Sequence, residues 1–187
     1  MLRERKRLET MLRVQDVALG LFEKHGYDSV SIEEIAEEAE VGVATVYRHF
    51  GTKERIVLWD EYDAEILSSF DKAVGEMRTL QAMLTTLSTG LSKVRDKDKR
   101  RVLRRGRLLL NVPALQSVQY ADTLKMGKTV SEILIKNKVL KSKLQCDVAA
   151  SFIASTLAVA ATHWIRSSGR KDLNSLIREA FATVEKL

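Results

Sequence analysis

The sequence predicts an all-α protein of about nine helices, with a small N-terminal three-helix domain and a larger C-terminal helical bundle. Apolar side chains recur at helical spacing along most of the chain. The 187 residues include a single proline, Pro113, so little interrupts the backbone hydrogen bonds of long helices. A hydrophobic content of 45% with 30% charged residues is typical of a globular protein with a substantial core.

The first helix is predicted over residues 5–25, and Gly26 ends it. Its apolar residues recur every three or four positions, which is the spacing of a single helix face. We expect this face to pack inward through Met11, Val14, Val17, Ala18, Leu21 and Phe22.

Residues 31–53 predict a helix-turn-helix. Ser31 and Glu34 have the spacing of a capping box, in which each side chain accepts the backbone N–H of the other residue. An apolar stripe follows at Ile32, Ile35, Ala36 and Ala39. The helical pattern restarts after Gly42, and polar and basic side chains gather towards its end. A helix of this kind is suited to the major groove of DNA.

The chain resembles TetR-type transcriptional regulators over residues 10–60. The resemblance is carried by Phe22-x-x-x-Gly26-Tyr27, Ser31-x-x-x-Ile35-Ala36-x-x-Ala39, Thr45-Val46-Tyr47-Arg48-His49-Phe50 and Lys53-Glu54. Two residues depart from the family pattern. Glu40 stands where the family usually has glycine, and a side chain in the left-handed turn expected there costs about 1 kcal/mol. Gly42 stands where the family often has serine, so a hydroxyl cap or phosphate contact is missing.

The resemblance implies a set of DNA-binding residues. Val43 and Ala44 are expected to meet thymine methyl groups, and Arg48 a guanine edge or a phosphate. Tyr47, His49 and Lys53 match positions that contact the DNA backbone in the family, although local packing of Tyr47 and simple exposure of His49 are the alternatives. For Glu33, solvation is favoured over contact with a cytosine amino group. The full predicted set is Ser31, Val43, Ala44, Thr45, Tyr47, Arg48, His49 and Lys53.

The rest of the chain predicts six further helices. A fourth helix is expected to run without a break from Lys53 past Phe70 towards Gly75, so that it leaves a DNA-binding domain at residues 1–52 and enters a regulatory domain at 53–187. A fifth covers residues 80–91, and a sixth ends at 108–110. Pro113 suits the first turn of the seventh, because its missing N–H costs nothing there. The eighth and ninth cover about 144–168 and 172–184.

Charge is unevenly distributed along the chain. The net charge is +6, yet residues 1–60 hold nine Lys/Arg against twelve Asp/Glu, so total charge is not the evidence for DNA binding. The evidence is the pattern, including a basic arm at Arg3, Arg5, Lys6 and Arg7. A second basic run at residues 97–107 is interpreted first as a solvated face. Contact with the acidic N-terminal helices, attraction to DNA, and anchoring of an anionic ligand by Arg104 or Arg107 are the alternatives.

Enzymatic, metal and membrane functions find no support in the sequence. His25, His49 and His163 are far apart and have no zinc-binding spacing with the lone Cys146, and P-loop, dinucleotide and serine-nucleophile motifs are absent. We expect no metal and no cofactor. The apolar stretch 148–165 contains five Ser, Thr or His residues, so we interpret it as a buried helix. No signal peptide is apparent, and we expect a cytoplasmic protein.

The resemblance also implies partners. TetR-like proteins dimerise through their last two helices, and a homodimer matches a palindromic operator. A charge at Ala158 or Phe181 is therefore expected to break the dimer. We expect a repressor that a largely hydrophobic small molecule releases from DNA; the alternative is a helical dimeric ligand-binding or scaffold protein without operator binding. Candidate effector-lining residues, each of which is also plausible as plain core, are Trp59, Tyr62, Ile66, Phe70, Met83, Leu87, Leu109, Tyr120, Met126, Phe152 and Trp164.

Overall fold

The computed structural model describes residues 2–77, 82, 84–86 and 96–184, and in these residues it is helical without strands. The all-α prediction is confirmed. The predicted fifth helix lies outside the described residues except at 82 and 84–86. The helices with defined bounds are α1 (Leu2–His25), α2 (Ile32–Glu38), α3 (Val43–Phe50), α4 (Lys53–Leu58), α5 (Asp63–Val74), α6 (Asp96–Asn111), α7 (Pro113–Lys136), α8 (Lys143–Arg166) and α9 (Leu173–Val184).

The chain divides into two compact units. The first comprises Met1–Glu61 and Arg107–Val118, and the second comprises Tyr62–Gly106 and Gln119–Leu187. The end of α6 and the start of α7 therefore belong to the first unit. The functional boundary between residues 52 and 53 stays a prediction.

The core of the first unit is built from the stripes that the sequence predicted. In this unit α1 packs against α2 and α4, and α3 packs against both α2 and α4. Val14, Ala18, Ile35, Val46 and Ile56 are completely buried at its centre. Fully burying an aliphatic side chain of this size contributes roughly 1.5–3 kcal/mol. The same core includes Leu109 and Leu115 from α6 and α7.

The second unit has a separate core. Phe70 of α5, Leu134 of α7 and Ile153 of α8 are buried in it together with Trp164. A Cβ on Gly106 would lie 2.5 Å from Cδ1 of Ile165, so α6 approaches α8 at a distance that only glycine allows. This close approach predicts that a larger residue at position 106 would displace α6.

The predicted unbroken fourth helix is wrong. α4 ends at Leu58, Trp59 is extended with φ −60° and ψ 131°, and α5 begins at Asp63. The buried side chain of Gln15 explains the break, because its Nε2 donates to the carbonyls of Ile56 at 2.7 Å and Trp59 at 2.8 Å. These carbonyls are satisfied without a further helical turn. A single rigid helix from Lys53 to Phe70 therefore cannot transmit a displacement along the chain.

α8 is partly buried within the chain. Cys146, Ala150, Ile153, Ala160 and Trp164 are among its buried residues. In the described residues it is the one helix with the length and composition of a membrane span, a test that core helices also pass. Its opposite face exposes a row of apolar side chains at Leu144, Val148, Phe152 and Val159.

Candidate nucleic-acid interface

The capping box predicted at the start of α2 is present. The backbone N–H of Glu34 donates to Ser31 Oγ at 3.1 Å, and the N–H of Ser31 donates to Glu34 Oε2 at 2.7 Å. The Ser31 hydroxyl also donates to Glu34 Oε2 at 2.9 Å. The hydrogen bonds from Ser31 hold the pKa of Glu34 below its ordinary value. The entry angle of the helix-turn-helix is thus set by local contacts.

The turn after α2 is left-handed at Glu40. Glu40 has φ 52°, its N–H donates to the Glu37 carbonyl at 3.0 Å, and the N–H of Val41 donates to the Ala36 carbonyl at 2.9 Å. This pair of bonds is the Schellman arrangement, in which glycine is favoured at the left-handed residue. Gly42 then precedes α3 without a side-chain cap. The left-handed turn expected at Glu40 is confirmed.

Glu40→Gly is expected to stabilise the protein by about 0.5–1 kcal/mol, because relief of about 1–2 kcal/mol of left-handed strain exceeds the added chain entropy of glycine. Glu37→Gly is the matched control, since it removes an exposed glutamate from a right-handed position within α2. It is expected to destabilise by about 1 kcal/mol. Urea unfolding measures the change in unfolding free energy of each variant. If both variants are stabilised, or both are destabilised, the left-handed strain at Glu40 is not the cause.

α3 has one buried and one exposed face. Val46 and Phe50 are buried, and the Phe50 and Trp59 rings pack edge-on with their centroids 6.0 Å apart. Val43 and Tyr47 are 37% and 47% exposed, and Ala44 and Arg48 are also exposed. The structure therefore places four of the predicted DNA-binding residues together on one surface, and Thr45 beside them is half-buried. Apolar and basic side chains on one exposed helix face fit the edges of bases and the phosphates of a major groove.

Two of the exposed side chains on α3 already have polar neighbours. Arg48 Nη2 lies 3.4 Å from Thr45 Oγ1, and the hydroxyl of Tyr47 lies 3.4 Å from Glu33 Oε1. Both contacts are long and exposed, so they are weak. Arg48 and Tyr47 can exchange them for phosphate or base contacts at little cost.

Lys53 has partners within the chain, which sequence reasoning missed. Its ammonium donates to the carbonyls of Tyr27 at 2.8 Å and Val30 at 3.0 Å and lies 4.3 Å from the centroid of the Tyr27 ring. The Tyr27 hydroxyl in turn donates to Glu54 at 2.9 Å. Burial, followed by this bond to Glu54, raises the pKa of Tyr27, so the phenol stays protonated. Lys53 joins the loop before α2 to α4 and keeps at most one N–H for a phosphate.

His49 lies at the end of α3 and is half-buried. Its burial, together with the positive charges of Arg48 and Arg7, holds its pKa below the ordinary value. His49 is therefore neutral at neutral pH and can serve a phosphate as a hydrogen-bond donor, not as a charge. Arg7 belongs to α1, and its positive charge acts on His49 at the end of α3.

Comparison with known proteins identifies the family. Residues 15–58 match the family of bacterial regulatory proteins described as tetR. Residues 77–187, more than half of the chain, match the MftR C-terminal domain. The chain belongs to the TetR family.

Two TetR-family relatives are named as transcriptional regulators. TcmR of Streptomyces glaucescens is 35% identical over 99 residues, which are 52% of this chain and 44% of TcmR. MftR of Mycobacterium tuberculosis, named as a regulator of mycofactocin biosynthesis, is 28% identical over 129 residues, which are 66% of this chain and 62% of MftR. The chain thus matches between 44% and 62% of the length of these relatives.

Solved structures of other proteins share the fold. SmeT in complex with triclosan has a TM-score of 0.61 and 16% identity, and the match covers 94% of this chain and 91% of SmeT. FadR of Thermus thermophilus in complex with lauroyl-CoA has a TM-score of 0.56 and 20% identity, and the match covers 92% of this chain and 91% of FadR. At these identities the likeness concerns the fold alone.

The candidate effector-lining residues of the second unit occupy different environments. Phe70 and Trp164 are buried in its core, and Met126 packs against that core. Tyr120 and Phe152 are 69% and 37% exposed. These five residues therefore do not share one environment, and their role in ligand binding stays a prediction.

The remaining candidates are divided between the first unit, the start of the second unit and residues outside those that the structure describes. Leu109 is buried in the first-unit core, and Trp59 packs against it. Tyr62 and Ile66 are half-buried in the second unit, where the Tyr62 hydroxyl lies 3.4 Å from Oδ2 of the buried Asp98. Met83 and Leu87 lie outside the described residues.

Proposed function

We propose that this chain is a transcriptional regulator that binds operator DNA through α3. The observation that carries this proposal is the exposed face of α3, which presents the side chains of Val43, Ala44, Tyr47 and Arg48 to solvent. The capped α2 and the buried side of α3 hold that face in a fixed orientation. The names of the TetR-family relatives support the same function. We propose that it acts in the cytoplasm, as a repressor.

A gel-shift titration against DNA upstream of the protein's own coding region tests this function. Specific binding should survive an excess of unrelated duplex and should weaken as salt rises, because bound protein releases counterions from phosphates. Binding of every duplex with equal affinity, or of none, would instead favour the alternative of a helical dimeric ligand-binding or scaffold protein.

Arg48→Ala and Lys53→Ala are expected to weaken DNA binding in different ways. Loss of a base contact at Arg48 should cost roughly 1–3 kcal/mol and relax the sequence preference at one operator position. Loss of the phosphate contact predicted for Lys53 should weaken all sequences alike and lower the salt slope by about one. Because Lys53 also binds two loop carbonyls, this variant should lose thermal stability as well. Affinities measured over single-base operator variants separate the two effects, and wild-type affinity in both would contradict the assignment.

We propose that the active form is a homodimer built through α8 and α9, so that two copies of α3 read a palindromic operator. The exposed apolar row on α8 supports this interface, since such rows on monomers mark association sites. Beside it, α8 and α9 border an open groove of about 500 Å³. Among the side chains that line this groove are Phe152, Ser155, Val159, His163, Leu176 and Thr183.

We propose that an apolar small molecule bound in the second unit controls DNA binding. The support is the apolar character of the candidate residues and the ligands, lauroyl-CoA and triclosan, with which two proteins of this fold were crystallised. An effector must prefer the conformation that binds DNA poorly, because a ligand with equal affinity for both states shifts nothing.

Titrations of apolar ligands with and without operator DNA test this control. Operator DNA should weaken effector binding by the same factor by which effector weakens DNA binding. A broad ligand screen without any effect on DNA affinity, together with a solidly packed second unit, would contradict the mechanism. Leu87→Trp is expected to block the response and leave operator affinity intact.

A further inference from the structure

The basic run at residues 97–107 divides, in the structure, into buried and exposed side chains. Arg105 is 8% exposed, and the side chain of Arg101, which pairs with Asp98 at 3.4 Å, is 11% exposed. These two arginines therefore belong to the interior of the molecule and not to a solvated face. Lys99 and Arg100, on the same helix α6, are exposed.

The loop between α8 and α9 passes close to Lys99. Gly169 in this loop has φ 70°, and a Cβ built on it would lie 3.2 Å from Cε of Lys99. Glycine therefore allows both the backbone conformation and the close approach. The loop is held in place, because the N–H of Ser168 donates to the Ile165 carbonyl at 2.8 Å and the N–H of Gly169 to the Trp164 carbonyl at 3.0 Å.

Two more exposed cations follow Gly169 directly. They are Arg170 and Lys171. Nε of Arg170 donates to the Ser167 carbonyl at 3.0 Å, which fixes the guanidinium beside the loop. Two segments distant in sequence thus bring four exposed positive side chains to one surface of the second unit. We call this surface the basic patch, and it consists of Lys99, Arg100, Arg170 and Lys171.

The carboxylates on these two segments have other partners. Residues 98–107 and 167–172 contain only Asp98 and Asp172. Asp98 is 4% exposed and pairs with Arg101. Asp172 accepts the backbone N–H and the hydroxyl of Ser175, each at 2.8 Å, in the first turn of α9. The positive charge of the basic patch therefore exceeds the negative charge of its own segments, and an anionic partner would relieve the repulsion.

The surroundings of the basic patch favour a nucleic acid over a protein as this partner. No large apolar side chain is exposed in residues 98–111 or 160–183. A specific protein–protein interface usually has apolar or aromatic anchors at its centre, and this surface offers none. Exposed lysines and arginines are sufficient to bind the phosphates of a duplex.

We infer that the basic patch is a second DNA-binding surface, which binds backbone phosphates of a duplex without regard to sequence. This inference goes beyond the proposed function, because that function assigns operator contact to α3. It also gives a role to positive charge that lies outside the first 60 residues, since residues 61–187 hold 22 Lys/Arg against 13 Asp/Glu. Contacts to phosphates add affinity for any duplex and do not discriminate between operators.

The test compares two variants that each lose four positive charges from the second unit. The patch variant replaces the four residues of the basic patch with glutamine. The control variant replaces four other exposed lysines, as Lys125→Gln/Lys128→Gln/Lys138→Gln/Lys141→Gln. Fluorescence anisotropy with a mixed-sequence duplex of about 30 base pairs, at about 50 to about 200 mM KCl, gives the salt slope of the association constant for each protein.

The patch variant should have a salt slope smaller than that of the wild type by at least about 1.8. Each lost phosphate contact removes about 0.9 from the slope, and we expect at least two of the four side chains to make such contacts. Over the same salt range, the wild type should then lose roughly tenfold more affinity than the patch variant. The control variant should change the slope by less than half as much.

Melting temperatures show whether the variants stay folded. If the patch variant melts early, Arg100→Gln/Lys171→Gln replaces it, because this variant keeps the contacts of Lys99 and Arg170 with the loop. It should lower the slope by about 0.9 to about 1.8. Arg100→Lys/Arg170→Lys keeps the charge and should retain the wild-type slope.

Three results would overturn the inference. A wild-type slope in the patch variant means that the basic patch does not touch DNA. Equal changes in the patch and control variants mean that net charge acts at long range, without a directed contact. Displacement of the duplex by poly-glutamate as effectively as by unlabelled duplex, at equal concentrations of negative charge, means that the surface accepts acidic polypeptides in general.

The ratio of operator affinity to mixed-sequence affinity tests the proposed function separately. The patch variant should keep the wild-type ratio, because phosphate contacts contribute equally to both duplexes. A wild type without any preference for operator DNA refutes the proposed function. In that case, a loss of salt slope confined to the patch variant still supports the second DNA-binding surface.

Discussion

Val159→Glu is expected to convert the proposed dimer into a monomer and to abolish the proposed operator binding with the helix-turn-helix untouched. Val159 is 54% exposed in the single chain, so the substitution should change the stability of the chain itself by no more than about 0.5 kcal/mol. In a two-fold interface through α8, the same change buries two unpaired glutamates close to one another. Buried charge without a partner should raise the dimer dissociation constant at least about 100-fold, or roughly 3 kcal/mol.

Val159 is a better test position than the two suggested by sequence. Phe181 is 5% exposed and its ring lies 6.4 Å from Phe152, so a charge there would disrupt the second-unit core itself. Ala158 is already half-buried in the single chain. Val159 separates association from folding, because it contributes little to the core.

Sedimentation velocity at micromolar concentration measures the effect, and a gel shift on the same samples measures its consequence for DNA binding. Met77→Glu is the matched control, since it places the same charge at an apolar side chain that is 40% exposed and lies outside α8 and α9. This control should remain dimeric and bind DNA. A monomeric wild type, or a dimeric Val159→Glu protein, would refute the interface.

Gln15→Leu is expected to lower the free energy of unfolding of the first unit by about 1–3 kcal/mol, the cost of a buried polar group that loses its partner. The substitution leaves the carbonyls of Ile56 and Trp59 without the donor that reaches them at 2.7 and 2.8 Å, and the first of these contacts is buried and the second partly buried. Removal of the buried Gln15 Oε1, which has no hydrogen-bond partner, offsets part of this loss. Leucine replaces the side chain with one of similar size, so little of the loss should come from a cavity.

Gln116→Leu provides the matched control. Its Nε2 donates to the Leu110 carbonyl at 2.8 Å, but this contact is exposed and water can replace the lost donor. Urea unfolding in a Trp164→Phe background measures both variants, because Trp59 then reports on the first unit. The control should change stability by no more than about 0.5 kcal/mol. If Gln15→Leu and Gln116→Leu lose equal unfolding free energy, burial of the acceptor carbonyls does not determine the cost of losing the hydrogen bond.

The helix-turn-helix could be predicted from sequence because local rules determine most of it. Ser31 and Glu34 satisfy each other across three residues, and the structure has all the bonds of that capping box. The left-handed residue at Glu40 was implied by the resemblance to TetR-type regulators, which usually have glycine at this position. Helical periodicity offered Val43, Val46, Tyr47 and Phe50 for packing. The structure buries Val46 and Phe50 but leaves Val43 and Tyr47 37% and 47% exposed. Each of these features depends on residues no more than one or two turns apart.

The division of α8 into covered and uncovered faces could not be predicted in the same way. Apolar residues occupy most of its circumference, so periodicity does not distinguish a core face from an association face. The packing of α9 and the close approach of α6 at Gly106 decide which residues are covered. Val148 and Val159 remain exposed as a result, at 60% and 54%.

The sequence by itself determined the all-α class and the capped helix-turn-helix, because these depend on propensities and spacings within short segments. The tertiary structure alone decided where α4 ends, since Gln15 satisfies carbonyls that lie 41 and 44 residues away. It likewise decided that Lys53 binds the carbonyls of Tyr27 and Val30. A buried polar group needs a hydrogen-bond partner, and a bond to a residue distant in sequence can override the local preference for helix. The sequence near such a group does not show which distant residue will bind it.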